Sequence, residues 1–315
     1  MADLLEIQNV SREYHMREGP LGLTRSVLRA VDRVSLSVRA GETLGLVGES
    51  GCGKSTLARL MLGLEDPDAG AVLYKGRNLF PAPPADFREK VQMVFQDPYS
   101  SLNPRRSVGA IIGEPLAIHR RGGRRERAER VRELLSLVGL RPEDTARYPH
   151  EFSGGQRQRV AIARALALNP ELVVCDEAVS ALDVSIQAQI INLLQKLQEK
   201  LGLTYVFISH DLAVVNYVSR RVAVMYLGRL MELAERDELY ANPLHPYTRT
   251  LLAAAPEPDP RKTKSRLRIR EEAGALPPGT CAFAPRCPQA EDACREAVPD
   301  LREVKPGHFA ACALV

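Results

Sequence analysis

"TLGLVGESGCGKSTLARLML" (residues 43–62) decides how this chain is read. Its first five residues make an apolar run of strand length. "GESGCGKS" (48–55) then fits the pattern G-x-x-x-x-G-K-[ST], and the apolar residues beyond it recur at helical spacing. Strand, glycine-rich turn and helix, in that order, is the context a phosphate-binding loop requires. Glycines let the backbone curl until its N–H groups face inward on a phosphate, and the helix N-terminus adds positive potential at the same place. Lys54 is placed to reach β- and γ-phosphates and Ser55 to ligate Mg²⁺, with Gly48, Ser50, Gly51, Gly53 and Thr56 as further nucleotide contacts.

Further along, "ELVVCDE" (171–177) reads as a buried parallel strand, because its apolar run is continuous rather than alternating. It ends in Asp176, suited to orienting Mg²⁺ or its water, and Glu177, a candidate to polarise an attacking water. Short strands are expected at 4–10, 34–38, 204–209 and 222–227, helices at 54–64, 126–139, 156–168, 184–201 and from Asp211, and loops at 65–70 and 81–86. Alternating strands and helices predict an α/β fold with a mixed, mostly parallel sheet.

Composition is that of a globular protein: 315 residues, 45% hydrophobic and 26% charged. Forty-three Lys and Arg against thirty-nine Asp and Glu leave +4, a balance that asks for no nucleic-acid partner. The arginine-rich stretch 119–133 reads as a solvated helix face. No apolar run is long enough to cross a bilayer, and residues 1–15 lack the layout of a secretory signal, so a cytosolic protein is expected.

"EFSGGQRQRVAIARAL" (151–166), ahead of the strand bearing Asp176 and Glu177, resembles the signature motif of ATP-binding-cassette (ABC) ATPases. "VFQDP" with Gln96 is similar to that family's Q-loop, "SALD" (180–183) to its D-loop, and "ISHD" with His210 to its switch histidine; Tyr14 stands where an aromatic residue stacks on adenine. Phe152 replaces the leucine common before SGGQ, one apolar anchor for another. The resemblance implies a P-loop ABC domain with a helical subdomain over about 97–165. In it Lys54, Gln96, Glu177 and His210 act in hydrolysis, and Ser55, Gln96 and Asp176 serve Mg²⁺. Ser153, Gly154, Gly155 and Gln156 of SGGQ face the nucleotide of an opposite subunit, so a second ABC ATPase is implied as partner, and Asp183 of the D-loop is a further nucleotide contact.

Residues 96–116, 177–195 and 242–260 further resemble the ATP-binding subunits of oligopeptide and dipeptide importers. That group implies a heterodimer of ATPases on the cytoplasmic face of the membrane, beneath two transmembrane permeases fed by an extracytoplasmic solute-binding protein. The alternative employer is a soluble ABC ATPase of DNA repair, translation or cluster assembly. This chain has neither the long coiled-coil insertion of the repair branch nor the two cassettes of the translation branch. The expected boundary separates a nucleotide-binding domain (1–242) from a small cysteine-rich C-terminal extension (243–315), with a linker-like Pro-rich and basic texture after Pro243.

Cys281, Cys287, Cys294 and Cys312 are separated by five, six and seventeen residues, wider than the paired C-x₂-C of common zinc sites. The resemblance favours a 4Fe-4S cluster, with Zn²⁺ and free or disulfide-linked thiols as alternatives. Such a staple would hold a tail expected to bury no core of its own. Cys52 and Cys175 read as packing residues.

Overall fold

The computed structural model describes residues 3–18, 24–254 and 279–315. Of the linker-like stretch expected after Pro243, residues 255–278 lie outside them. The chain divides into two compact units: Met1–Leu4, Arg39–Glu42 and Ala82–Ile208 form one, and Leu5–Val38, Thr43–Pro81 and Ser209–Val315 the other.

The second unit takes in all but the first two residues of the strand Asp3–Glu18 (β1) and all but the last of Thr24–Arg39 (β2), followed by Thr43–Val47 (β3), the helix Lys54–Met61 (α1) and the hairpin Ala69–Tyr74 (β4) and Arg77–Asn78 (β5). Strand β4 takes up the end of the segment expected as a loop, pairing antiparallel with β1 from Leu5↔Tyr74 to Ser11↔Ala69. All five residues of β3 are buried, as a continuous apolar run predicts.

The first unit holds the short helix Phe87–Lys90 (α2), the strand Val91–Val94 (β6) and then only helices until the next strand: Pro98–Ser101 (α3), Val108–Ile118 (α4), Arg124–Leu137 (α5) and Gly154–Ala165 (α6). Val131, Leu134 and Leu135 supply the buried face of α5. Its arginines stay on the surface, with Arg125 on Glu129 (2.9 Å) and Arg130 on Glu133 (3.2 Å). The strand Leu172–Asp176 (β7), the helix Val184–Leu201 (α7) and the strand Thr204–Ser209 (β8) follow. Strands β6, β7 and β8 are parallel neighbours, as the apolar runs in β7 and β8 imply.

The second unit resumes with Leu212–Val218 (α8), Arg221–Tyr226 (β9), Arg229–Glu235 (β10), Arg236–Ala241 (α9), Pro246–Ala254 (α10), Ala293–Glu296 (α11), Arg302–Lys305 (β11) and His308–Ala310 (β12). Strand β3 pairs parallel with β9, whereas β10, β12 and β11 continue antiparallel in the order β9-β10-β12-β11. The sheets are therefore more mixed than alternating strands and helices suggest.

The C-terminal residues correct one expectation: they do bury a core. Phe283, Cys281, Cys287, Cys294, Ala310 and Cys312 are all buried. Phe283 meets Tyr226 edge-on (centroids 5.5 Å, 89°) and lies 5.3 Å from Tyr247 and 5.9 Å from His245. Rings in such tilted and edge contacts gain about 0.5–1.5 kcal/mol per pair beyond their area burial.

Residues 243–248, expected to be linker-like, instead lead into α10 and form its first turn, and Glu232 is the reason. This carboxylate is 0% exposed. It accepts the N–H groups of Leu244 (2.7 Å) and His245 (2.9 Å) and pairs with His308 Nε2 (2.7 Å), so one buried acid ties the start of α10 and strand β12 to β10.

Burial outweighs a backbone hydrogen bond at Ala311 and pushes the His245 imidazole from 6.5 down to about 4. The native state thus holds this ring neutral while the unfolded chain protonates it, and the stability present above pH 6.5 is lost as pH falls toward 4. Between pH 7 and pH 5 the wild type is expected to lose about 2 kcal/mol more unfolding free energy than His245→Asn, which keeps an acceptor for the Tyr247 N–H without titrating. Denaturant titrations at both pH values measure this, and equal losses in the two proteins would remove His245 as the cause.

Candidate nucleotide site

In the second unit β3 runs into the glycine-rich turn and α1 leaves it. Gly48 is pressed against the neighbouring strand: a Cβ there would lie 2.1 Å from the Met225 carbonyl oxygen and 2.7 Å from Cys52 Sγ. Gly53, just before α1, has φ 104°, and a Cβ there would lie 2.0 Å from the Ala30 carbonyl oxygen. No other residue fits either place. The turn is closed by Cys52 N–H to Glu49 O (3.2 Å) and anchored by Gly228 N–H to Cys52 O (2.8 Å).

Lys54 is 4% exposed, and its ammonium donates to the carbonyls of Gly48 (2.8 Å) and Glu49 (2.9 Å), which turns a flexible cation into a fixed one. Ser50 and Gly51 are exposed on the loop; in the first turn of α1 Ser55 is exposed and Thr56 half-buried. A fixed ammonium beneath exposed glycine and serine residues is the donor set an anionic phosphate chain needs.

Tyr14, on β1, is half-buried; its hydroxyl donates to the Glu65 carboxylate, and the Arg12 guanidinium lies 5.3 Å from its ring centroid. His210 is exposed directly after β8, and Asp211 beside it accepts the Ala213 N–H (2.8 Å) at the start of α8.

In the first unit, strand register builds the carboxylate site. Val94 of β6 pairs with Cys175 of β7, and two residues further along both strands the Gln96 amide donates to Glu177 Oε2 at 2.8 Å. Asp176 is half-buried at the end of β7. Glu177 sits at φ 47°, a left-handed conformation uncommon for a residue with a side chain. It is held there by its N–H to Ile208 O (3.0 Å) and by its carbonyl, which accepts Ser180 N–H and hydroxyl at 3.0 Å each.

The SGGQ turn caps α6. Ser153 Oγ accepts the Gln156 N–H (3.4 Å) and Gln156 Oε1 accepts the Ser153 N–H (3.0 Å), a reciprocal cap of the kind that stabilises a helix by about 1 kcal/mol. Phe152, ahead of it, is buried under the Arg147 guanidinium (4.4 Å to the ring centroid). Gly155 is buried against Ile186 of α7 and Gly154 near Leu182, while Ser153 and Gly154 face solvent. Asp183 caps α7, accepting Ile186 N–H (2.9 Å) and Ser185 Oγ–H (2.8 Å), and those bonds hold its carboxyl below the usual range.

All six cysteines are free. Burial pushes the Cys281, Cys287 and Cys312 thiols up, and each also feels the charge of other members of the quartet; Cys281 N–H donates to Cys294 O at 2.9 Å. The four therefore share one buried patch. Among the described residues, however, no three His, Cys, Asp or Glu side chains are grouped so as to hold a metal ion, so the expected 4Fe-4S or Zn²⁺ centre is not supported by the geometry.

One set of contacts escaped sequence reading. Arg286, next to Cys287, forks onto the carboxylate of Glu49 inside the turn at 2.8 and 3.0 Å, and the Glu49 N–H donates to the Tyr247 hydroxyl at 3.1 Å. No spacing rule joins residues 237 positions apart.

Comparison with known proteins agrees with this geometry. Residues 31–180 match the family described as ABC transporter, and residues 231–294 the family described as the C-terminal region of oligopeptide/dipeptide transporters. The oligopeptide transport ATP-binding protein AppF of Bacillus subtilis is 52% identical over 319 residues, covering 99% of this chain and 97% of that protein. A probable peptide ABC transporter ATP-binding protein of Sinorhizobium fredii is 52% identical over 314 residues, covering 98% of this chain and 89% of its own. Among solved structures, the dimeric ATP-binding cassette MJ0796 with ADP and phosphate matches at TM-score 0.64 and 30% identity over 74% of this chain and 98% of that one. CbiO1 of Clostridium perfringens matches at TM-score 0.67 and 27% identity over 77% and 92%.

Gly48→Ala is expected to lower the unfolding free energy by about 2–4 kcal/mol and to abolish nucleotide binding, because the new methyl meets a backbone carbonyl that cannot swing aside. Denaturant titration with nucleotide-binding measurements checks this; a cost below about 1 kcal/mol would show that the turn accommodates a Cβ.

Proposed function

This chain belongs to the ATP-binding proteins of ABC transporters, in the oligopeptide/dipeptide group, and from that premise we propose that it is the ATP-hydrolysing subunit powering import of oligopeptides, dipeptides or a related small solute. Near-full-length similarity to transport proteins disfavours the soluble-ATPase alternative. The observation that carries the catalytic part is the Gln96–Glu177 hydrogen bond, which holds a carboxylate at the end of β7.

In this reading Lys54 and the loop residues Gly48, Ser50, Gly51, Gly53, Ser55 and Thr56 bind the phosphates, and Tyr14 stacks on adenine. Ser55, Gln96 and Asp176 would hold Mg²⁺, which when bound neutralises charge developing on the phosphoryl oxygens. Glu177 takes a proton from the attacking water, and His210 contacts the γ-phosphate. Ser153, Gly154, Gly155 and Gln156 serve the nucleotide held by the opposite subunit, and Asp183 is a further nucleotide contact. The exposure of Ser153 and Gly154 supports this, as does the dimeric relative.

The partners are then a second ABC ATPase, forming a heterodimer, two permeases and an extracytoplasmic solute-binding protein. Among the described residues no helix is long and apolar enough to cross a membrane, so attachment to its cytoplasmic face would come through the permeases. We assign residues 1–242 to the nucleotide-binding domain, with a helical subdomain over about 97–165, and 243–315 to the peptide-importer-type extension; the all-helical run between β6 and β7 and the C-terminal family match support this.

Cys281, Cys287, Cys294 and Cys312 are carried as a site for a 4Fe-4S cluster or Zn²⁺ on the support of their shared burial alone. Loading must displace protons from the Cys281, Cys287 and Cys312 thiols, whose pKa burial raises, so metal retention is expected to improve as pH rises. Metal analysis of anaerobically purified protein decides it: iron with visible absorbance supports the cluster, zinc the alternative, and neither metal at any pH removes the site.

Reconstituted with the permeases that copurify from membranes, the wild type is expected to hydrolyse ATP and take up peptide. Glu177→Gln should bind ATP but hydrolyse it about 100-fold or more slowly and take up none. Near-normal turnover in that variant would remove Glu177 from the role.

A further inference from the structure

The phosphate-binding turn carries an acid in an awkward place. Glu49 directly follows Gly48, its carboxylate 40% exposed, in a loop that must accept a polyanion. Arg286 meets it with both terminal nitrogens, Nη1 to Oε2 at 2.8 Å and Nη2 to Oε1 at 3.0 Å. Such a fork-to-fork pair fixes direction as well as distance.

The guanidinium is itself well held. Only 16% exposed, Arg286 also donates from Nη1 to the Tyr226 hydroxyl (3.3 Å) and lies 5.7 Å from that ring's centroid. Its backbone belongs to a tight turn in which the N–H groups of Arg286 (3.0 Å) and Cys287 (2.9 Å) both donate to Phe283 O, and Phe283 is buried among Tyr226, Tyr247 and His245. The arginine is thus delivered by a packed piece of the C-terminal region. From the same region Tyr247 takes the Glu49 N–H, so both the side chain and the backbone of this loop residue are gripped.

We propose that Arg286 is a positioning residue for the ATP site: it draws the Glu49 carboxylate aside, cancels its charge against the incoming triphosphate and holds the turn in its phosphate-receptive shape. The inference rests on reading this turn as the ATP site. It gives the C-terminal extension a role in nucleotide affinity independent of any metal on its cysteines.

Equilibrium titration of the purified full chain with a fluorescent ATP analogue, competed by unlabelled ATP, tests it. Arg286→Ala is expected to bind ATP about three- to tenfold more weakly than the wild type, the range set by one lost, partly screened ion pair. Adding Glu49→Gln to Arg286→Ala should restore most of that loss, because the uncompensated charge is then gone. A purely structural role for Arg286 would leave the double variant as weak as the single one. Arg286→Gln, which keeps a hydrogen-bonding side chain, carries the same expectation if Arg286→Ala fails to fold. Undiminished affinity in the folded variants, or no recovery in the double variant, overturns the inference; a wild type that binds no ATP overturns the reading beneath it.

Discussion

A loop that offers its amides to a phosphate can spend few of them on its own conformation, so most of its shape has to be imposed from outside. That constraint organises the second unit. The fully buried β3 fixes where the turn begins, and its parallel pairing with β9, Val47 opposite Val224, brings the Met225 carbonyl against Gly48. From the other side Ala30 bears on Gly53, and Gly228 secures the Cys52 carbonyl. Lys54 closes the turn from beneath, its charge met by two carbonyl dipoles. Each contact leaves the exposed serine and glycine positions for a ligand.

The C-terminal region joins this scaffold through a buried acid. A carboxylate wholly removed from water is tolerable only with its acceptor sites filled, and Glu232 fills them with two backbone N–H groups and a histidine. Because those donors come from the start of α10 and from β12, satisfying one charge places two distant segments. Tyr247 and Phe283 then close over Tyr226, and Arg286 arrives at the turn. These C-terminal residues are continuous with the core that shapes the phosphate site.

What was legible in the sequence was what short range determines. The turn at 48–55, the strand ending in Asp176 and Glu177 and the cap at Ser153 each carry their instructions within a dozen residues. The β4–β5 hairpin and β10 were not legible: β4 begins in a glycine-containing stretch with turn chemistry, and β10 places Glu232 in its buried middle, breaking the apolar pattern. The tail looked coreless because it is rich in proline and charge, yet its few aromatic, alanine and cysteine side chains bury against residues far away in sequence. The Arg286–Glu49 pair was invisible for the same reason, since only the folded chain makes those residues neighbours.

Register links Gln96 to the Glu177 carboxylate more directly than their separation in the sequence suggests. Gln96 and Glu177 leave paired strands at matching positions, so any displacement of the chain after β6 is felt at the Glu177 carboxylate through a 2.8 Å bond. The backbone of Glu177 has little freedom to respond, being locked in a left-handed conformation by Ile208 and Ser180. The adjustable part is the side chain, and Gln96 is a residue that bonds it directly. A movement of Gln96 need not travel through the fold to reach the carboxylate, because that hydrogen bond joins the two directly.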